Sequence, residues 1–176
     1  MRSFCRTQLK RNILLIAALV LVVAVFAVAV VWILSRPVEL MDENAIAGEP
    51  QALPDEVGYS HLDQVGFGSV RMCGNPAVDG KDVYIYLTNL PSNLHLMRAE
   101  IYTAKQVTNS AGEKRWEPNK FLGRTGFIEP GTYVEKVSLD KKLPRGQSMV
   151  IIKVSLRNAE TGGSEGFLYL NTVISN

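Results

Sequence analysis

Along the second half of the chain, apolar and polar residues alternate with a period of two. Residues 82–88 place Val83, Ile85 and Leu87 on one side and Tyr84, Tyr86 and Thr88 on the other, the repeat of a half-buried strand. Residues 148–156 do the same with Val150, Ile152, Val154 and Leu156 against Lys153 and Ser155. Residues 166–174 alternate Leu168, Leu170, Thr172 and Ile174 with Phe167, Tyr169 and Val173. In residues 133–139, Tyr133, Val137 and Leu139 are expected on one face and Val134, Lys136 and Ser138 on the other. Residues 96–107 and 120–128 read as further strands, the latter interrupted by Gly123 and Gly126, and a weaker first strand covers 67–73. Turn residues punctuate them at Asn75-Pro76, Asp79-Gly80, Ala111-Gly112, Pro130-Gly131 and Gly162-Gly163. About seven short strands without an amphipathic helix predict an all-β fold, an immunoglobulin-like antiparallel β-sandwich.

The first part of the chain follows another pattern. Residues 13–34 carry no charge, no Gly and no Pro. As a helix they would span about 33 Å, close to the hydrocarbon thickness of a bilayer. Arg2, Arg6, Lys10 and Arg11 precede the run without an acidic residue, which keeps that flank cytoplasmic. Trp32 lies near its outer end. An Ala-x-Ala pattern at 27–29 falls inside the run, so an uncleaved signal anchor is expected in place of a removed leader. The reading is thus a basic cytoplasmic tail (1–12), a transmembrane anchor (13–34), an acidic flexible spacer (35–65) and an extracytoplasmic β-domain (66–176).

Charge supports that division. The tail carries +4, residues 35–65 carry −6 (one base, seven acids), and residues 66–176 carry +4 (fourteen bases, ten acids). The spacer scatters Pro37, Pro50, Pro54, Gly48 and Gly58 through an acidic, non-periodic stretch, a composition that extends and does not order itself. The basic charge of the last part is diffuse, which excludes a nucleic-acid reading. Cys5 and Cys73 fall on opposite sides of the expected membrane. They cannot pair within one chain, and Cys73 reads as a buried thiol or, alternatively, as a link between two chains.

Catalytic chemistry finds little support. Ser60-His61-x-Asp63 holds the residue types of a triad but sits in the expected spacer, and a triad is a matter of geometry. His/Cys spacing for zinc is absent, and Asp79-Gly80-Lys81-Asp82 reads as a hairpin turn before a calcium loop. No enzyme activity, cofactor or metal is expected. The candidates are instead for partner binding. Tyr84 and Tyr86 form an aromatic strip opposite the Val83 face. Trp116 anchors an apparent long loop at 108–119, and Lys141, Lys142 and Arg145 cluster at a turn. Cys73, Pro130, Gly131 and Tyr133 are structural candidates, the Pro-Gly pair as a type II turn.

Several segments together resemble a known arrangement. They are Asn75-Pro76, Val83-Tyr84-Ile85-Tyr86-Leu87, the run from Gly126 through Pro130-Gly131-Thr132-Tyr133-Val134, then Leu143-Pro144-Arg145-Gly146 and residues 168–174. With the tail, anchor and spacer, they are similar to uncharacterised small membrane-anchored surface proteins of Gram-positive bacteria. A weaker similarity links them to fibronectin type III sandwiches, in which a buried Tyr after a Pro-Gly turn braces a corner; Tyr133 would take that role. The resemblance implies a β-sandwich displayed outside a cell membrane, with no assigned activity. The functional expectation is a non-enzymatic accessory or adaptor of a cell-envelope complex that binds a protein partner. The alternative is a tethered module for cell-wall glycan.

Overall fold

The computed structural model describes residues 18–28, 30, 41–51, 53, 58–64 and 68–176, without the side chains of 61–64. The chain divides into two units, Met1–Val38 and Glu39–Asn176. In the first unit, residues 18–28 and 30 are helical, and every one of them is exposed. Among the described residues no helix is long and apolar enough to cross a membrane. The remainder of the 13–34 run, with Trp32, Cys5 and the basic tail, lies outside the described residues.

Among the described residues the second unit holds ten strands: β1 Ile46–Ala47, β2 Tyr59–Gln64, β3 Gly68–Cys73, β4 Ala77–Asp79 and β5 Asp82–Asn89, then β6 His95–Thr108, β7 Lys114–Arg124, β8 Thr132–Ser138, β9 Gln147–Asn158 and β10 Ser164–Ser175. They form two antiparallel sheets. One runs β1-β8-β5-β3-β2 with β4 attached to β5, and the other runs β10-β9-β6-β7. Their inner faces meet in a single core. Val70 and Met72 of β3, the Val83/Ile85/Leu87 face of β5, and Val134 and Val137 of β8 pack against Met97, Ala99 and Ile101 of β6. The alternate residues Val150 to Leu156 of β9 and Ile174 of β10 complete it. Each such side chain contributes about 1.5–3 kcal/mol by leaving water. The all-β architecture read from the two-residue period is therefore the observed one.

Three elements differ from the sequence expectation. The stretch 35–65 is not free of structure where it is described. Met41 bridges Phe127, β1 pairs with β8 through Ile46 opposite Tyr133, and β2 pairs with β3 along its length. Asp42 is the reason the acidic segment docks. Its Oδ2 accepts the Gly126 N–H at 2.7 Å, and its own N–H donates to the Phe127 carbonyl at 2.8 Å. A Cβ on residue 126 would lie 2.5 Å from the Asp42 nitrogen, so only glycine allows this approach.

Residues 108–119 are not a long loop either. β6 and β7 continue as a hairpin whose connection is only Asn109 to Glu113, closed by the Asn109 side chain on the N–H groups of Ala111 and Glu113. The polar sequence reflects a hairpin wet on most of its surface; Pro118 and Gly123 conceal the strand period.

The expected phase of β8 is also wrong at its start. Val134 and Val137, three residues apart, both face the core, which a regular strand forbids. Leu87 pairs with Val134 and Val83 with Val137, so five residues of β5 oppose four of β8. The extra residue is a bulge at Tyr86, whose φ of +47° is the one left-handed conformation found outside glycine among the described residues.

Candidate functional site

Within the second unit, the outer face of the β10-β9-β6-β7 sheet carries the most exposed rings. Alternation places Phe167, Tyr169 and Val173 of β10 outward, beside Lys153 of β9 and Glu100 and Tyr102 of β6, with Phe121 of β7 opposite Tyr102. Phe167 is 54% exposed, Tyr169 49% and Phe121 44%. They form two close pairs, Phe167–Tyr169 with centroids 5.2 Å apart and Tyr102–Phe121 edge-on at 5.7 Å. The rings stand on long strands, each paired along at least one side with a neighbour in the sheet, which fixes their directions.

Between the rings lies a buried carboxylate. Glu100 is 6% exposed. It accepts from Tyr102 Oη at 3.0 Å and ion-pairs with Arg98 at 3.2 Å and Lys153 at 3.3 Å. A buried charge needs such partners to offset its desolvation. Burial first, then the Glu100 charge, pushes the Tyr102 hydroxyl up to about 12. Lys153 also lies 5.2 Å from the Phe167 ring centroid, and Arg98 and Arg157 flank the ring of Phe127 at 4.6 and 5.2 Å. Two cations, Arg98 and Lys153, pair with Glu100, and Arg124, in register with Glu100, and Arg157 stand on neighbouring positions of the same sheet.

The other sheet gives a different outer face. Tyr84 and Tyr86 do project outward, 6.2 Å apart, but both are half-buried. Lys136 lies over Tyr84 and binds Asp82 at 2.5 Å, and Ser138 donates to the same carboxylate at 2.6 Å. These two hydrogen bonds hold the Asp82 carboxyl below its ordinary value. Tyr59 bonds the Thr88 hydroxyl at 2.6 Å, and Arg71 pairs with Glu49 from the docked acidic segment. Burial, with a smaller contribution from Glu135, pushes the Tyr86 hydroxyl up.

The other sequence candidates are dispersed. Trp116 is 39% exposed on β7 opposite Gln106, on the hairpin and not in a loop. Lys141, Lys142 and Arg145 are exposed in the β8–β9 connection, without a carboxylate partner among the described residues. Leu143 buries itself beneath them while Gly146 and Asn176 exchange two backbone hydrogen bonds. These groups therefore lie on different sheets and do not converge. Cys73 is buried and free, and burial pushes its thiol up to about 11.

Pro130-Gly131 forms the expected turn. Gly131 has φ +79°, and Thr132 N–H returns to the Glu129 carbonyl at 3.2 Å. Tyr133 opens β8, in register with Thr88, and its hydroxyl bonds nothing among the described residues, so the hydroxyl brace expected of a tyrosine corner is not formed there. Asp79 and Asp82 close a hairpin at Gly80-Lys81, and no group of three or more metal-binding side chains occurs among the described residues. Ser60 and its neighbours lie on β2, and the side chains of His61 and Asp63 are outside the described residues.

Sequence reading missed the Glu100 cluster and the Phe121/Phe167/Tyr169 face. The signal was present in β10, where Phe167, Tyr169 and Val173 are large and apolar on the odd-numbered side although Leu168, Leu170 and Ile174 already turn to the core. No protein-family profile matches the chain, and no curated protein sequence or solved structure is significantly similar to it.

Proposed function

We propose that this chain is a single-pass membrane-anchored protein with its N-terminus inside, holding an immunoglobulin-like, fibronectin III-like β-sandwich outside the cell membrane. It serves as a non-enzymatic accessory or adaptor of a cell-envelope complex, in the manner of small Gram-positive surface proteins. The partner is a protein that docks on the outer face of the β10-β9-β6-β7 sheet.

The observation that carries this reading is the row of exposed rings, Phe121, Tyr169 and Phe167, on one rigid sheet face around an internally neutralised Glu100. Exposed aromatic anchors with a charged rim are the usual energetic centre of a protein interface. The cations around them favour a partner whose rim is acidic. The strand order β3-β5-β8 facing β10-β9-β6-β7 supports the fibronectin III-like assignment. The uncharged 13–34 run, helical and exposed on all sides where it is described, supports the anchor.

A photo-crosslinker placed at Phe121, 44% exposed on β7, in the intact chain is expected to trap one defined envelope protein, and one placed at Tyr84 is expected not to. Equal capture at both sites would remove the face from consideration. A protease added to intact spheroplasts should release the C-terminal body; a protected body would overturn the orientation. The same ring-and-polar arrangement favours cell-wall glycan as the second reading. Retention on purified wall, lost on Phe167→Ala, would select that reading.

A further inference from the structure

The two edges of the four-stranded sheet are built in opposite ways. β7 is blunted by every device that stops strand addition. It carries Lys114, Arg115, Lys120 and Pro118, and it breaks register with β6 twice. At its far end Leu122 is already engaged, its carbonyl accepting the Asp140 N–H at 2.7 Å. β10 has none of these. It pairs with β9 through eleven of its twelve residues, with one irregularity at its start, where Glu165 is skipped between Ser164 and Gly166. It contains no Pro, no Lys and no Arg, and its single residue charged at neutral pH is Glu165. Its other edge makes no backbone–backbone hydrogen bond among the described residues; the Thr172 hydroxyl, on the core-facing side of the strand, donates to the Gly74 carbonyl at 2.6 Å. A long, regular, uncharged edge left open is a template for another strand.

We infer that β10 pairs antiparallel with β10 of a second copy of this chain, joining two four-stranded sheets into one of eight. The occupant follows from the chemistry of the edge. A row of unpaired N–H and C=O groups is satisfied by an extended backbone, and a strand with almost no charge does not repel its own copy. A two-fold axis perpendicular to the sheet keeps outward side chains outward, so paired residues must share parity. Centring the axis on Leu170 overlaps residues 165–175. Phe167 then meets Val173 and Leu170 meets itself, two apolar contacts, while Tyr169 meets Asn171, Leu168 meets Thr172 and Glu165 faces Ser175, so no like charges are opposed. The two aromatic faces become one continuous surface. This inference rests on the backbone edge alone and is independent of which partner the face binds.

The test is sedimentation of the full chain in density-matched detergent. A dimer at micromolar concentration is expected, falling to monomer when Tyr169→Lys and Asn171→Lys are combined, because those positions oppose each other across the axis. Asn119→Lys on β7 should leave the dimer intact. Both β10 positions are exposed, and circular dichroism checks that the fold survives. In a second measurement, Phe167→Cys with Val173→Cys in a Cys5→Ser background should cross-link two chains under mild oxidation. A monomeric native chain, a dimer indifferent to the β10 lysines, or no cross-link would overturn the proposal. A strand from a different protein found on β10 of a monomer would overturn it as well.

Discussion

The two outer faces of the sandwich have similar raw materials and opposite outcomes. On the β8-β5-β3 side, tyrosines and charges bond to one another: Tyr59 to Thr88, Lys136 to Asp82, Arg71 to Glu49. On the β10-β9-β6 side, the charges gather at Glu100 and leave Phe167, Tyr169 and Phe121 uncovered. Polar groups that satisfy each other leave a surface with little to offer a partner. Polar groups that neutralise at one centre leave the surrounding rings available. The contrast explains why the tyrosine strip at Tyr84 and Tyr86, the more obvious aromatic pattern in the sequence, is the less promising surface.

That comparison can be broken experimentally. Glu100→Ala should have the largest effect, about 3 kcal/mol of lost stability in urea unfolding, because two cations lose their shared buried carboxylate. Gly126→Ala should cost about 2 kcal/mol by pushing the Asp42 segment off the fold, seen as faster proteolysis between residues 41 and 51. Stability should also decline with rising pH. The Cys73 thiol stays protonated up to about pH 11 when folded but ionises near 8.5 in the unfolded chain. The unfolded state therefore holds fewer protons across that window. Stability present below pH 8.5 is lost progressively up to about 11, an effect of at most about 3 kcal/mol. Cys73→Ala should flatten that part of the urea-midpoint profile. The smallest effect is expected for Phe167→Ala with Phe121→Ala, within about 1 kcal/mol in stability yet with at least a tenfold loss of partner capture. Lys136→Ala on the other face, which removes only a solvent-screened ion pair, should leave both stability and capture essentially unchanged. Equal behaviour of the two faces would erase the distinction.

Much of the sandwich was legible because β5, β9 and β10 alternate cleanly, and Pro130-Gly131 named its own turn. What stayed hidden depends on contacts far apart in sequence. Asp42 and Gly126 meet across 84 positions, and nothing local distinguishes Asp42 from the acids around it. The same holds for Asn89, which is buried and donates to the carbonyls of His95 and Ile128. Glu100 read as an ordinary polar strand residue because its partners, Arg98 and Tyr102 beside it and Lys153 across the sheet, acquire meaning only once β6 and β9 are paired. In β7 the alternation is masked because a hairpin largely surrounded by water has no dry side to mark.

The bulge at Tyr86 makes the two central strands tolerate length changes unequally. Deleting Tyr86 would equalise β5 and β8 at four residues each, but Val83 and Leu87 would then lie on opposite faces and one would be thrown into water. Inserting one residue beside Glu135 would equalise them at five, keep Val134 and Val137 inward and release the left-handed backbone. The sheet can therefore gain a residue in β8 more easily than it can lose one from β5.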